Sequence, residues 1–247
     1  MNTVANIRTI TKRELAAYFT SPLAYVVIVI FLLLMGFFTF MAGGFFEMGQ
    51  ASLDRFFIWH PWLYLVLVPA VGMRLWAEER RVGTLELLLT MPITPWQAIV
   101  GKFIASWLFL GIVLLLTFPI VITVNWLGSP DNGVIIAAYV GSFLMAGSYL
   151  AIACLTSALT RNQVISFIIA VVACLLLVLC GFPPVTQFFT RFESHWLMDI
   201  VAGFSSLTHF EGFMKGVLDS RDVIYFFSII LFALFSTGVI IRGHRAG

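Results

Sequence analysis

Few side chains in this sequence could do chemistry, and their spacing argues against catalysis. Four histidines, His60, His195, His209 and His244, could ligate haem or a metal. Haem ligation in a membrane needs facing His pairs inside spans, and these four fall at run ends or in connections. His195 and His209 share one connection, with no partner at i+4 and no cysteine nearby. Gly147-Ser148 could mark an intramembrane serine nucleophile. Such a serine needs a histidine base within hydrogen-bond reach, and none is expected inside a span. Cys154, Cys174 and Cys180 all lie in apolar runs without metal-ligand spacing, so they read as small packing residues. Gly101-Lys102-Phe103 lacks both the first glycine and the hydroxyl of a phosphate loop. No catalytic, cofactor-binding or metal residue is assigned, and the chain reads as a non-enzyme.

One polar constellation remains. Glu78-Glu79-Arg80-Arg81 sits between two apolar stretches and leads into Val82-Gly83-Thr84-Leu85-Glu86-Leu87-Leu88-Leu89-Thr90-Met91-Pro92. Val82, Leu85, Leu88 and Leu89 share one helical face, and Pro92 ends the pattern. Thr94-Pro95-Trp96-Gln97 then restarts a helix: Thr94 caps, Pro95 suits the first turn and Gln97 completes a capping box. The plain alternative is a solvated loop whose charges anchor a helix end. An amphipathic helix followed by a stiff cap favours an elbow that receives force from a partner.

The elements that position this elbow are membrane helices. The chain is 61% hydrophobic and 11% charged, against about 25% charged residues in a soluble domain. A bilayer core about 30 Å thick takes roughly 20 apolar residues, and six runs qualify: 22–41, 58–77, 98–124, 134–159, 164–182 and 222–241. Pro69 interrupts the second run and Arg74 lies near its end, which makes it the weakest. The alternation of an outer-membrane barrel is absent. The span centres carry almost no charge, which weighs against ion coupling, and matching broken helices of the inverted-repeat kind are absent. Gly141, Ser142, Ala146, Gly147 and Ser148 form a small-residue face for close helix packing. The fold class is all-α, a polytopic membrane protein with six transmembrane helices.

Charge bias sets the orientation. With the N-terminus inside, ten Lys and Arg residues fall on the cytoplasmic side and four on the outer side (Arg55, Arg191, Lys215 and Arg221). Acidic residues run the other way, four inside and eight outside. Both termini are therefore expected in the cytoplasm. The first run is too long for a signal peptide and no small-residue cleavage site follows it.

Val4, Ile7, Thr11, Leu15 and Tyr18 recur at helical spacing beside Arg8, Lys12 and Arg13, which predicts a helix flat at the inner interface; the alternative is a flexible tail. Ser21-Pro22 predicts a cap and a new helix at a bend. Outside, 125–133 is a tight turn; inside, Thr160-Arg161-Asn162-Gln163 leaves almost no loop. The outer stretch 183–221 mixes aromatic residues such as Phe188, Phe192, Trp196 and Phe210 with charges, and predicts short interfacial helices. Asp219 to Asp222 opens the last helix.

Three stretches resemble the membrane subunits of ABC-2 type exporters, in particular the gliding-motility type of permease. They are Arg13-Glu14-Leu15-Ala16-Ala17-Tyr18-Phe19-Thr20-Ser21-Pro22-Leu23-Ala24-Tyr25, then 73–105 with the elbow and Gly101-Lys102-Phe103, then Ser205-Ser206-Leu207-Thr208-His209-Phe210 through Asp222-Val223. With the six-span layout, the likeness covers essentially the whole chain. It implies one ABC-2 type transmembrane domain over 1–247. Its parts are an interfacial helix in 1–21 and five spans in 22–182, with a coupling helix at 83–92. An extracytoplasmic helical loop at 183–221 and a sixth span and tail at 222–247 complete it. It also implies residue roles. Gly83, Thr84, Leu85, Glu86, Leu87, Leu88, Leu89 and Pro92 would sit in the groove of an ATPase, flanked by Glu78, Glu79, Arg80 and Arg81. Arg8, Lys12, Arg13, Glu14 and Tyr18 would form the interfacial helix.

The expectation is a permease subunit of the bacterial inner membrane. It would couple ATP hydrolysis by a separate cytoplasmic ABC ATPase to export, or to work on an extracytoplasmic partner. No cofactor is expected in this chain, ATP and Mg being bound by the partner subunit. The other expected partners are a second permease copy or paralogue, membrane lipid and a periplasmic accessory protein, with no nucleic acid. The alternative is a non-transporting anchor or assembly subunit.

Overall fold

A computed structural model describes residues 3–47, 49–84, 93–185 and 203–243. Among them the chain is all-helical, with no strand. In chain order the helices are α1 (Thr3–Thr20), α2 (Pro22–Phe37, prolonged by a π-helical turn Phe38–Ala42), α3 (Asp54–Phe57), α4 (His60–Gly72), α5 (Arg74–Val82), α6 (Pro95–Leu115), α7 (Pro119–Leu127), α8 (Asn132–Leu159), α9 (Gln163–Leu179), α10 (Ser206–Met214) and α11 (Ser220–Gly243).

Five helical stretches among the described residues are long and apolar enough to cross a membrane: Pro22–Ala42, Asp54–Val82, Pro95–Leu127, Asn132–Leu159 and Ser220–Gly243. The expected fifth span is the apolar but shorter helix α9, of 17 residues. That is the lower end of the range of about 17 to 25 residues that spans a bilayer. The chain is a multi-pass, all-α membrane protein, with five spanning-length helices and one shorter apolar helix among the described residues.

Prolines explain the interruptions. Pro69 lies inside α4, and the helix breaks one turn later at Met73, whose N–H still reaches Pro69 O at 2.8 Å. Pro119 separates α6 from α7. Just before it, Thr117 Oγ1 donates to Leu114 O at 2.6 Å, so Tyr139 must donate its hydroxyl to Thr117 across the break, at 2.9 Å. The expected cap at Ser21 does not form. Its backbone is extended and Pro22 opens α2, but its side chain makes no capping bond.

Helix α8 is the central post, packed by α4, α6, α9, α10 and α11. Its small-residue face does what its composition predicts: Gly141, Ser142, Ala146, Gly147 and Ser148 are all buried. Ser148 Oγ lies 3.2 Å from both Leu144 O and Phe226 O, placing α11 directly against the post. At Gly147 the indole of Trp107 fills the space a side chain would take, 2.7 Å from an ideal Cβ. That indole stacks on Phe143 with 4.5 Å between centroids and donates Nε1–H to Phe143 O at 2.8 Å. Gly147→Ala is therefore expected to push Trp107 out of both contacts. The overpacking destabilises by about 1–3 kcal/mol, measurable as a lower denaturation midpoint in mixed micelles.

The cysteines are packing residues. Cys154 and Cys174 are buried and Cys180 is partly buried, all as free thiols. His60 is the first residue of α4, at a helix end as its position at a run boundary suggested. It is fully buried among Phe31, Phe56, Phe57 and Tyr64, with Nδ1 3.2 Å from Phe56 O.

The two ends of the bundle differ. One gathers the start of α1, the α5–α6 elbow, the tight α8–α9 turn and the end of α11. The other gathers the α7–α8 turn, where Asn125 and Asn132 exchange amide hydrogen bonds at 3.0 and 3.1 Å, together with α10 and the start of α11.

Candidate functional site: a lysine clamp behind the elbow

All four elbow charges are placed by α5, which ends where the sequence demands it. Gly83 adopts φ +78°, the left-handed conformation that favours glycine, and its N–H returns to Glu79 O. Thr84 Oγ1 adds a 3.5 Å bond to the same carbonyl. On the far side the predicted capping box is present: Thr94 Oγ1 accepts from Gln97 N at 3.4 Å, and Gln97 Oε1 accepts from Thr94 N at 3.2 Å. Leu85, Glu86, Leu87, Leu88, Leu89 and Pro92 lie outside the described residues, so the amphipathic helix between these two fixed points is not described.

Behind the elbow lies a centre that spacing alone did not reveal. Lys102 is 5% exposed. Its Nζ lies 2.7 Å from Glu79 Oε1 on α5 and 3.7 Å from Glu14 Oε2 on α1. It also donates to Leu75 O at 3.4 Å and stands over the Trp76 ring, 5.4 Å from its centroid. One ammonium thus joins α1, α5 and α6. A buried charge is tolerated only when paired and hydrogen-bonded, and this one is both. Glu14 is also held by Arg13 at 2.8 Å, and Arg74 pairs with Glu78 one turn apart at 3.1 Å. Beneath these charges opens a cavity of about 260 Å³, bounded by Tyr18, Val27, Val71 and Phe109 as well as the charged residues.

The predicted interfacial helix is a helix; Val4 at its start is exposed, while the side toward Thr11 and Tyr18 packs on protein. Asn6 Nδ2 donates to Gln97 Oε1 at 3.3 Å, and Thr11 Oγ1 lies 3.2 Å from Gly101 O. Ile10 covers Gly101, and Tyr18 stacks on Phe109 with 4.8 Å between centroids. These pairings advance together along both chains, so α1 runs beside the first turns of α6. Ser106 Oγ donates to Lys102 O at 2.9 Å, which leaves the Tyr18 hydroxyl to donate to Ser106 at 2.8 Å. Burial pushes that hydroxyl up to about 12, so it stays a neutral donor at any physiological pH. Arg8, Lys12 and Arg13 lie on the outward face of the same helix.

The central post closes the site. Ser157 Oγ accepts from Trp76 N and Ala77 N at 2.9 Å each and donates to Met73 O at 2.9 Å, bridging the α4–α5 break. Trp76 Nε1 donates to Cys154 Sγ at 3.2 Å, and Arg80 Nη1 donates to Ala158 O. Arg242 stands over Trp96, 5.5 Å from the ring centroid, bringing α11 to the start of α6. Ser157→Ala strips two buried N–H groups of their acceptor at once. It is expected to cost about 2–6 kcal/mol, at about 1–3 kcal/mol per unsatisfied group, and to loosen α5 against α8. Faster amide hydrogen exchange at Trp76 and Ala77 is the readout.

Of the residues predicted for the site, the structure brings together Glu14, Tyr18, Glu78, Glu79 and Arg80 and leaves Arg8, Lys12 and Arg81 apart from the clamp. Lys102, Ser157 and Gln97 in its second role were missed as members. One signal could have found Lys102: it is the sole charge within the apolar run 98–124, and a charge in such a run needs a partner.

A helical bundle of apolar spans, with a buried, ion-paired lysine behind the elbow at one end, defines a polytopic membrane protein. Residues 65–195 match the model of the ABC-2 family transporter protein, more than half of the chain, and the chain belongs to that family. No curated protein matches it significantly. Membership makes it a membrane permease subunit of an ABC transporter, of a kind that is generally non-catalytic and pairs with an ABC ATPase subunit.

Proposed function

We propose that this chain converts ATP-driven closure of a separate cytoplasmic ATPase dimer into movement of its own helices. The movement exports a substrate across the bacterial inner membrane or does work on an extracytoplasmic partner. The elbow faces the cytoplasm, as do both termini, and 83–92 is the segment that docks in the ATPase groove. ATP and Mg belong to the partner. A second copy or a paralogue completes the permease pair, with lipid around it and a periplasmic accessory protein as a further partner.

The observation that carries this reading is the Lys102 clamp. A push at the elbow acts on α5 through Glu79, and Lys102 passes it to α6 and, through Glu14, to α1. Ser157 and Arg80 pass it to the central post. A loop that merely linked two spans would need none of these ties. The charge asymmetry between the two sides supports the orientation, and the ABC-2 membership supports the kind of partner. The test is co-purification of the chain with its cognate ATPase, and nucleotide-dependent change in the distance between labels on paired permeases. An ATPase that binds but moves no label would instead make the chain a non-transporting anchor.

A further inference from the structure

At the end of the bundle opposite the elbow, His209 on α10 and Asp222 in the first turn of α11 make a pair that ATPase coupling does not use. His209 Nδ1 lies 2.6 Å from Asp222 Oδ1, and its Nε2 lies 3.2 Å from Gly203 O. The imidazole stacks on Tyr225 with 4.0 Å between centroids, and the Tyr225 hydroxyl donates to Phe204 O at 2.6 Å. Asp222 is packed tightly on the other side, since a Cβ on Gly212 would stand 2.7 Å from its Oδ2.

Each ring nitrogen thus faces an atom that only accepts. A carbonyl oxygen has no proton to give, and a carboxylate in the first turn of a helix is favoured in its charged form. A neutral imidazole carries one N–H and one lone pair, so it could satisfy one of the two and would repel the other. The imidazolium satisfies both. We propose that His209 is a proton-binding site, and that the bound proton latches α10, with the turn at Gly203 and Phe204, onto the start of α11. Loss of the proton releases the Gly203 side of the latch first, because the carboxylate is the stronger acceptor. The latch is closed while the ring holds both protons and loosens when one is lost.

Among the described residues, the groups around His209 do not supply a competing explanation. On α11 they are Asp222 and Tyr225. On α10 Glu211 lies 3.8 Å from Lys215 and is engaged there. From α8, Tyr149 is held to Ser206 at 2.8 Å, and Cys180, following α9, is near Tyr225. Among the described residues, Asp222 is the charged group in contact with the ring. The site needs no ATPase partner, so its test stands apart from that of the proposed function.

The experiment uses the full chain in lipid nanodiscs, with Cys180→Ser and with spin labels at Phe204→Cys and Arg221→Cys. Between about pH 5 and about pH 8, the range over which an imidazole changes charge, one short distance at low pH is expected to give way to a second, longer component. His209→Gln and Asp222→Asn are each expected to abolish that pH response. Nitrogen-15 spectra of histidine-labelled wild type give a second readout that needs no folded variant: the His209 signal should be that of a doubly protonated ring at about pH 5 and should change towards about pH 8. A distance independent of pH, the same pH response in His209→Gln, or a neutral ring at about pH 5 would overturn the proposal.

Discussion

Replacing Lys102 with methionine is expected to destabilise the protein by about 3 kcal/mol and to uncouple the elbow from the rest of the bundle. Methionine keeps the length and apolar stem of the side chain, so the loss is that of the charge. Removing one partner of a buried ion pair costs about 3–5 kcal/mol, because the remaining charge is left without compensation. The lower end applies here, since the Glu14 and Glu79 side chains each keep 20% of their exposure and water can reach them in part. Glu79 is affected most: its Oε2 is already buried without a hydrogen-bond partner among the described residues, and the substitution removes the partner of Oε1 as well. Two measurements check this. Unfolding in mixed micelles reads the stability. Nucleotide-driven distance changes between labels on α1 and α6 read the coupling, and they should shrink even at a temperature where the variant is folded. A Lys102→Arg variant should recover stability only in part, because the larger planar guanidinium has to fit a space that now holds an ammonium between Glu79 Oε1 and the Trp76 ring. If Lys102→Met kept both wild-type stability and wild-type label motion, the clamp would be a packing detail and not a transmission element.

The second large effect is expected at the elbow itself. Substituting Asp for both Leu85 and Leu88 should abolish co-purification with the cognate ATPase and the stimulation of its ATP hydrolysis. Burying a leucine is worth about 2 kcal/mol. Losing two such side chains and presenting two carboxylates to an apolar groove therefore costs at least about 4 kcal/mol, or roughly a thousandfold in affinity at about 1.4 kcal/mol per factor of ten. Neither position is one of the clamp residues, so the fold of the bundle should be unaffected, and an unchanged unfolding midpoint is the control. Unchanged co-purification and stimulation would remove 83–92 from the role of docking helix. The two predictions separate the two functions proposed for the elbow. The leucine variant fails to bind the ATPase, whereas the lysine variant binds it and fails to pass the motion on.

Much of this architecture is written in short-range signals. Apolar run length gave the spans to within a few residues for Pro22–Ala42 and Asn132–Leu159. Thr94-Pro95-Trp96-Gln97 gave a capping box that is present bond for bond, because a cap involves only residues three apart. The small-residue stripe on α8 was legible because five small side chains on one helical face have little use except close approach. The α1 stripe was legible as a stripe, but not as to what it faces. Ile7, Thr11 and Tyr18 would suit lipid or protein equally, and it is Gly101 on α6, a residue with no side chain to keep Ile10 away, that makes protein the neighbour there.

What the sequence determined alone was therefore the set of elements: helices of membrane length, their caps and breaks, and a charged elbow with a stiff far side. Each follows from residues within a turn or two of one another. Tertiary structure alone decided which distant side chains meet. Lys102 lies 23 residues from Glu79 and far beyond Glu14, and Ser157 reaches a helix break some eighty residues earlier. His209 finds an acceptor at each ring nitrogen only after α10 folds onto α11. The physical reason is that such pairings depend on how each helix is rotated and how deeply it sits beside its neighbours. Those variables are fixed by the packing of the whole bundle, and no local spacing encodes them.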